Sequence, residues 1–490
     1  MARPRIAFVG AGSTVFARAL LSDLYLSPEL HGADIRLMDI DERRLRTTAL
    51  VTEHIQQRAG LKPQVIATTD IKRALDGADY VFTMFQVGGY HPATVTDFEI
   101  PKRYGLRQTI GDTLGIGGIM RGLRSIPVLL DYVRVMEEHC PGALLLNYTN
   151  PMAILVWAVY TASPINVVGL CHSVQGTAAE AASWLDIPTG EVRYRCAGIN
   201  HLAFYLNFER NGEDLYPALR QMAGDGLEPA HERIRFDVLR RWGYLVTESS
   251  EHFSEYVPWY IKRDRQDLID RFNVPLDEYP RRCEEQIAGW ENLERQLTAG
   301  GGTPDPSDPE TVQLSAIAER RLALVAADQP DVAERLRERW LAERRAHRAG
   351  PSGEYGIEIV RAIETGQPTV VNANVRNDGL ISNLPPGCCV EVPCLVDANG
   401  VQPTVIGDLP PQLAALMRTN IGVQELTVQA ALTGNRDRVY QAALLDPHTA
   451  AELDPPTIES LVDDLLQAHG SLVPAMRRHE SVPASLSRPR

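Results

Sequence analysis

The sequence lacks any long apolar stretch, and it has fewer basic than acidic residues. A membrane-spanning helix needs roughly 20 consecutive apolar residues, and nothing in the 490 residues approaches that length. The 49 Lys and Arg are outnumbered by 63 Asp and Glu, so the formal net charge is −14. A chain of this charge repels nucleic-acid phosphates and anionic membrane surfaces. We therefore expect no nucleic acid and no membrane among its partners.

Cysteine is too scarce and too scattered for a disulfide framework. The seven cysteines are spread over a long chain, a usage typical of proteins whose thiols stay reduced. The first residues, MARPRIAFVG, lead directly into a predicted strand and contain no apolar core of a secretion signal. These features predict a cytoplasmic protein.

Apolar runs alternate with helical patterns through the first part of the chain. RIAFVGAG, DIRLMDI, YVFTMFQV, ALLLNYTNP and NVVGLCHS read as parallel strands covered on both faces. A chain of this length exceeds a single core of about 250–300 residues. We predict an α/β fold with a Rossmann-like parallel-sheet domain at 1–195 and a C-terminal α+β domain of helices and antiparallel strands at 196–478. The polar tail at 479–490 is predicted to be disordered.

A glycine turn follows the first predicted strand in RIAFVGAGSTVFARALL. Gly10 permits a tight turn, and Gly12 lets the backbone approach a pyrophosphate at the start of the next helix. Ser13 and Thr14 complete the predicted cofactor loop. The third glycine of the full dinucleotide motif is replaced by Val15, so an ordinary strand-to-helix turn stays an alternative.

An acidic residue ends the second predicted strand and supports the dinucleotide interpretation. Asp39 can accept hydrogen bonds from both ribose hydroxyls and repel a 2′-phosphate, which favours NAD over NADP. Arg43, four residues further on, can stack on adenine or pair with Asp39 or Asp41. We therefore predict an NAD site at Gly10, Gly12 and Asp39 with Arg43 beside it.

A thiol and an imidazole follow two different predicted strands. Cys171 comes after NVVGL, at the carboxyl end where Rossmann-type sheets bind their ligands. His201 closes the segment AGINH, thirty residues later. A thiolate and a neutral imidazole can hold a divalent cation that keeps positions open for a substrate. A buried cysteine that packs as a small apolar side chain is the alternative.

Motifs over almost the whole chain resemble the NAD- and manganese-dependent glycoside hydrolases of family 4. They are FVGAGST, TIGDTLGIGGIMRGLRSIP, NYTNPMA, GLCHSVQG, GINHLAFYL, DLYP and NDGLISNLP. The Cys-His-Ser sequence and the later segment SSEHFSEYVPWY look like the α-galactosidase branch of that family. The resemblance implies a glycosidase that departs from the usual pair of catalytic carboxylates.

The resemblance also implies a reaction course. NAD⁺ would oxidise the sugar at C3, while a cation such as Mn²⁺, held by Cys171 and His201, coordinates the oxygens on C2 and C3. A base would remove the C2 proton, the aglycone would leave from C1, water would add there, and the hydride would return to C3. Asn150 in NYTNP matches a family asparagine that contacts the sugar, with a turn-forming Asn-Pro as the alternative.

The resemblance leaves the proton-transfer residues open. The family base lies in the region of Tyr256, although a core tyrosine is the alternative and Glu251, His252 and Glu255 are further candidates.

Two residues compete for the role of the acid that protonates the leaving oxygen. Asp112 lies in a glycine-rich loop where burial would raise the pKa of its carboxyl group. His172 follows Cys171 directly and titrates near neutrality. A purely structural or metal-shell role is the alternative for each of them.

Other functions stay open. Within the family, the substrate could be an α-glucoside, an α-galacturonide or an α-glucuronide. Outside it, the chain could be an NAD-dependent dehydrogenase that accumulates NADH, or a noncatalytic NAD or redox sensor that uses Cys171 as a switch. The resemblance further implies a homodimer or homotetramer, with the amphipathic helices of 225–347 as the contact surface.

Overall fold

The computed structural model describes residues 3–13, 16–62, 65–298, 314–349 and 352–478. Thr14 and the predicted disordered tail at 479–490 lie outside these residues. The first strands are β1 (Arg5–Val9), β2 (Asp34–Met38), β3 (Ile66–Thr68), β4 (Tyr80–Thr83), β5 (Leu144–Asn147) and β6 (Asn166–Gly169). The helices among them and directly after them are α1 (Phe16–Leu26), α2 (Glu42–Arg58), α3 (Ile71–Leu75), α4 (Val95–Arg103), α5 (Gly115–His139), α6 (Met152–Ala162) and α7 (Ser173–Trp184).

The six strands form a parallel sheet in the order β3-β2-β1-β4-β5-β6. Alternate residues of β1 enter different apolar clusters: Ile6 and Phe8 lie in one, Ala7 and Val9 in the other. Because both faces are covered, these strands are almost continuously apolar in sequence. This confirms the predicted Rossmann-like arrangement.

The second part of the chain contributes helices and antiparallel strands. The strands are β7 (Val192–Ile199), β8 (Leu202–Arg210), β9 (Glu213–Asp214), β10 (Thr369–Arg376), β11 (Cys389–Asp397) and β12 (Gly400–Pro403). The helices up to the gap after residue 298 are α8 (Tyr216–Asp225), α9 (Arg233–Trp242), α10 (Ser250–Phe253), α11 (Gln266–Phe272) and α12 (Glu278–Thr298). Those that follow are α13 (Ala316–Asp328), α14 (Pro330–Ala349), α15 (Gly356–Thr365), α16 (Pro411–Thr433), α17 (Arg436–Leu445), α18 (Pro447–Glu452) and α19 (Pro455–His469).

The antiparallel strands continue the parallel sheet. β10 pairs with β6, β11 with β10, and β7 with β11, so the described residues form one mixed twelve-stranded sheet. Gly169, Asn374, Glu391 and Gly198 lie side by side across these four strands. The chain segments that carry Cys171 and His201 therefore leave the sheet from the same row. The predicted boundary at 195 falls inside β7.

Helices α16 and α17 pack on α5, and α19 packs on α17 and α4, so that these helices enclose a third apolar cluster. None of the helices within the described ranges is long and apolar enough to cross a membrane.

Candidate active site

The glycine loop after β1 is tied to the end of β2. The Gly10 amide donates to the Met38 carbonyl at 2.9 Å, and the Gly12 amide donates to Asp39 Oδ2 at 2.8 Å. A Cβ atom on Gly12 would lie only 2.7 Å from that carboxylate oxygen, which explains why glycine is required. Ser13 lines a cleft of about 370 Å³ between α2 and α12. Gly10, Gly12, Ser13 and Asp39 are thus together.

The Arg43 side chain pairs with neither aspartate that the sequence suggested. Its Nε atom donates to Glu294 Oε1 at 2.7 Å, and its guanidinium lies 4.9 Å from the centre of the Trp290 ring. Arg44 lies on the same ring at 4.7 Å and donates to the Gly12 carbonyl at 3.1 Å. The sequence did not indicate Arg44, because spacing alone cannot tell which of two adjacent arginines reaches the glycine loop.

Cys171 and His201 meet, as predicted. The Cys171 Sγ atom lies 3.3 Å from His201 Nε2 and 3.4 Å from the Ser173 hydroxyl oxygen. Burial raises the pKa of the Cys171 thiol to about 12. A bound divalent cation would reverse this shift, because it stabilises the thiolate directly.

His201 is held from two sides. It adopts a left-handed backbone conformation with φ of 63° between β7 and β8. Its Nε2 atom lies 3.3 Å from Glu248 Oε2, and its Nδ1 atom lies 3.0 Å from the Tyr256 hydroxyl. Tyr256 is 0% exposed, and burial raises the pKa of its phenol well above the usual value.

Glu248 links two histidines and was missed in the sequence. Its second oxygen, Oε1, lies 3.2 Å from His252 Nδ1. Burial opposes ionisation of Glu248, but the adjacent His201 and His252 outweigh it and lower its pKa to about 2. The only signal in the sequence was its position just before SSEHFSEY, a segment already singled out.

The other acidic candidates of this segment have structural partners. Glu251 forms ion pairs with Arg282 and, at 2.7 Å, with Arg321. The Glu255 carboxylate accepts hydrogen bonds from the Thr109 and Gly111 amides at 2.9 and 2.7 Å. Both carboxylates are therefore engaged in joining helices and loops.

Asp112 and Asn150 are neighbours in the cleft. The Asn150 side-chain amide donates to Asp112 Oδ2 at 3.1 Å, and the Thr113 hydroxyl donates to Oδ1 at 2.7 Å. Arg121 donates to the Asn150 carbonyl at 3.2 Å. Burial would raise the pKa of Asp112, as the sequence led us to expect, but Arg121 and His252 outweigh burial and lower it. The expected elevated pKa is therefore wrong.

His172, the other predicted acid, faces outward. Its side chain is 61% exposed, and its Nδ1 atom lies 3.3 Å from Glu354 Oε1. Desolvation opposes protonation, but the hydrogen bond and charge of Glu354 prevail and raise the pKa of His172 to about 9.

A second group of possible metal ligands lies away from this cluster. One ligand atom each of Glu180, His231 and Glu232 lies within 4.8 Å of the other two. However, Arg235 bonds Glu180 at 2.8 Å and lies 3.4 Å from Glu232. Since this arginine already neutralises negative charge there, we assign no cation to the group.

Comparison with known proteins identifies the class of this molecule. Residues 5–187 match the profile described as family 4 glycosyl hydrolase, and residues 196–449 match its C-terminal domain. The chain belongs to the family 4 glycosyl hydrolases and is a glycosidase, so the resemblance inferred from its motifs is confirmed.

Individual relatives are similar to this chain over nearly its whole length. An α-galactosidase of Bacillus subtilis (strain 168) is 43% identical over 96% of this chain and 99% of its own length. An α-galactosidase of Rhizobium meliloti (strain 1021) is 34% identical over 97% and 90%. A 6-phospho-α-glucosidase from gut microorganisms, solved in complex with NAD and Mn²⁺, is 19% identical over 97% and 100%, with a TM-score of 0.74. This last likeness establishes the shared fold.

Proposed function

We propose that this glycosidase is an α-galactosidase that works with NAD and a divalent cation, with Mn²⁺ as the first candidate. The observation that carries the proposal is the 3.3 Å contact between Cys171 Sγ and His201 Nε2. Support for the sugar comes from the two α-galactosidases that are similar over nearly the whole chain.

The residues fit a cation. Metal–sulfur bonds of about 2.3 Å and metal–nitrogen bonds of about 2.1 Å, the lengths found in zinc sites, place two adjacent ligand atoms roughly 3.1–3.6 Å apart. The observed 3.3 Å between Cys171 Sγ and His201 Nε2 falls in this range, so the two side chains fit one ion. The negative charge of Glu248 beside His201 further favours a cation.

The residues also fit NAD. Gly10 and Gly12 put no side chain at the turn after β1, and Asp39 stands beside them for the ribose hydroxyls. We therefore assign this site to Gly10, Gly12, Ser13, Thr14 and Asp39. Arg43 lies beside the site, and its guanidinium is engaged by Glu294. When bound, NAD⁺ supplies a hydride acceptor and the cation supplies Lewis acidity.

For the acid we favour His172 over Asp112. His172 is exposed beside Cys171, and Glu354 Oε1 lies 3.3 Å from its Nδ1 atom and favours its protonated form, so it can protonate a leaving oxygen. Asp112 is ionised and accepts hydrogen bonds from Asn150 and Thr113. We therefore assign Asp112 and Asn150 to the orientation of sugar hydroxyls.

For the base we favour His252 with its partner Glu248. A base must come within hydrogen-bond reach of the proton that it removes. His252 is partly exposed and packs against His201, with ring centres 5.2 Å apart. Tyr256, the base that the family resemblance implies, is fully buried.

Hydrolysis of nitrophenyl glycosides tests the proposed function. We expect release of nitrophenol from the α-galactoside, dependent on NAD⁺ and Mn²⁺ under reducing conditions, and much slower release from the α-glucoside and both α-uronides. NADH, followed by its absorbance, should not accumulate, because the cofactor is regenerated in each turnover. Formation of NADH in stoichiometric amount with the product would indicate an NAD-dependent dehydrogenase. If no glycoside is turned over, the noncatalytic NAD or redox sensor is the remaining interpretation.

We further propose a cytoplasmic homodimer or homotetramer with domains at 1–195 and 196–478. The cytoplasmic proposal is supported by the seven cysteines, none of which forms a disulfide. The division into domains is supported by the family matches, which end at 187 and resume at 196. Light scattering coupled to size exclusion measures the oligomeric state.

A further inference from the structure

We propose that Glu294 is a second determinant of cofactor choice, which makes the site select NAD over NADP by keeping Arg43 away from the place of a 2′-phosphate. This inference rests on the proposed NAD site at Gly10, Gly12 and Asp39. It adds to that site a residue of α12, which belongs to the second part of the chain.

Arg43 begins at the place where a 2′-phosphate would have to be neutralised. Sheets of this type bind the adenosine ribose beside the acidic residue that ends the second strand, and an arginine nearby accommodates the added phosphate of NADP. Asp39 is that acidic residue, and Arg43 lies in the first turn of α2, where its amide donates to Asp41 Oδ1 at 2.9 Å. The backbone of Arg43 is therefore fixed close to Asp39, and the direction of its side chain decides whether it can serve a phosphate.

Glu294 sets that direction. Arg43 Nε donates to Glu294 Oε1 at 2.7 Å, and Arg43 Nη2 donates to Oε2, so the two groups form an ion pair with two charge-assisted hydrogen bonds. The Glu294 side chain is 14% exposed and that of Arg43 is 58% exposed, so the carboxylate is the more firmly seated partner. The Trp290 ring, 4.9 Å from the guanidinium, also draws the arginine toward α12.

The charges around the ribose position then oppose a phosphate. A phosphate monoester brings about two negative charges at neutral pH. Asp39 and Asp41 are negative there, and Glu291 adds a further negative charge near Arg43. The positive charge of Arg43 is already balanced by Glu294, and both hydrogen bonds must break before the arginine can turn to a phosphate. NAD has no 2′-phosphate and requires no such exchange.

Arg44 does not take over this role. It donates to the Gly12 carbonyl at 3.1 Å and lies 4.7 Å from the centre of the Trp290 ring, so it supports the glycine loop. Because Trp290 contacts both arginines, α12 keeps a contact with α2 when the charge of Glu294 is removed. A substitution at 294 therefore changes the charge beside the site without separating the two helices.

The relative affinities for the two cofactors test this inference. We would measure the Kd values of NAD⁺ and NADP⁺ by isothermal titration calorimetry, without sugar, for the wild type and for Glu294→Gln. The glutamine keeps the shape of the side chain but releases Arg43. We therefore expect the ratio of the NADP⁺ Kd to the NAD⁺ Kd to fall on the order of 10-fold, the effect of one hydrogen bond to a charged group.

Glu285→Gln is the matched control. It removes the same charge from the same helix, but Glu285 pairs with Arg320 instead of Arg43. Its ratio of Kd values should equal that of the wild type. Thermal melts confirm that each affinity refers to folded protein.

A double variant shows whether the gain in NADP⁺ affinity passes through Arg43. When Glu294→Gln is combined with Arg43→Met, we expect the ratio to return to the wild-type value. A gain that persists in the double variant, or that Glu285→Gln reproduces, would be an effect of net charge and would overturn the role of Glu294.

The same titrations separate this inference from the proposed function. Failure of the wild type to bind NAD⁺ would refute the cofactor site itself. If the wild type binds NAD⁺ while Glu294→Gln leaves the ratio of Kd values unchanged, the site stands and selection by Glu294 is overturned.

Discussion

At the scale of single residues, the site depends on groups whose nearest neighbours are distant in sequence. Asp39 accepts a hydrogen bond from the amide of Gly12, 27 positions earlier in the sequence, and Cys171 contacts His201, 30 positions later. Each pair joins the end of one strand to a loop after another, which is how α/β sheets bring separate residues to one crevice. Small changes at these positions should alter binding more than folding.

Gly12→Ala should weaken NAD binding. The added Cβ would lie 2.7 Å from Asp39 Oδ2, so the loop and the carboxylate must separate by several tenths of an ångström. We expect the Kd for NAD to rise about 10-fold or more, equivalent to at least about 1.4 kcal/mol. Isothermal titration calorimetry measures it.

Gly142→Ala is the control for this prediction, because no atom lies within 4 Å of its added Cβ. Equal NAD affinities for the two variants would contradict the close approach that we describe.

At the scale of elements, a buried ion pair joins helices from both parts of the chain. Arg124 of α5 bonds Asp97 of α4 at 3.0 Å, and His469 at the end of α19 contacts the same carboxylate at 2.8 Å. Arg124 and Asp97 are 1% and 2% exposed. The sequence indicated the helices but not this contact. The same spacing of polar and apolar residues is found whether a polar side chain on a helix points to solvent or to a buried partner.

Arg124→Met should destabilise the protein strongly. Removal of one partner leaves the Asp97 charge buried without its arginine, which costs about 3–5 kcal/mol. Arg134→Met on the same helix breaks only an exposed pair with Asp131 and should cost about 0–1 kcal/mol. Urea unfolding measures both free energies. A small loss in Arg124→Met, comparable with that of Arg134→Met, would rule out this account of how α4, α5 and α19 are joined.

At the scale of the whole molecule, buried carboxylates should set the acid limit of stability. Neighbouring cationic groups outweigh burial and lower the pKa values of Glu180, Glu248 and Glu251. A group with a lowered folded pKa stabilises the protein above its unfolded pKa, and that contribution is lost as the pH falls.

We therefore expect the free energy of unfolding to fall as the pH drops below about 4.5. For Glu248, a shift from 4.5 to about 2 corresponds to about 3 kcal/mol lost over that range. Melting temperatures between pH 7 and pH 2 measure the loss. Glu248→Gln should show a shallower decline than the wild type, and identical profiles would show that this carboxylate has no such role.

The sequence by itself determined the strand-ending residues and the family, because apolar runs, glycine turns and motif spacing are local properties. It therefore led to the glycine loop, Asp39, Cys171, His201 and the parallel sheet. Only the tertiary structure decided three other features. They are the continuity of the sheet through β6 and β10, the partner of Arg43, and the position of Tyr256 behind His201. These depend on long-range strand pairing and side-chain direction, and a one-dimensional pattern encodes neither.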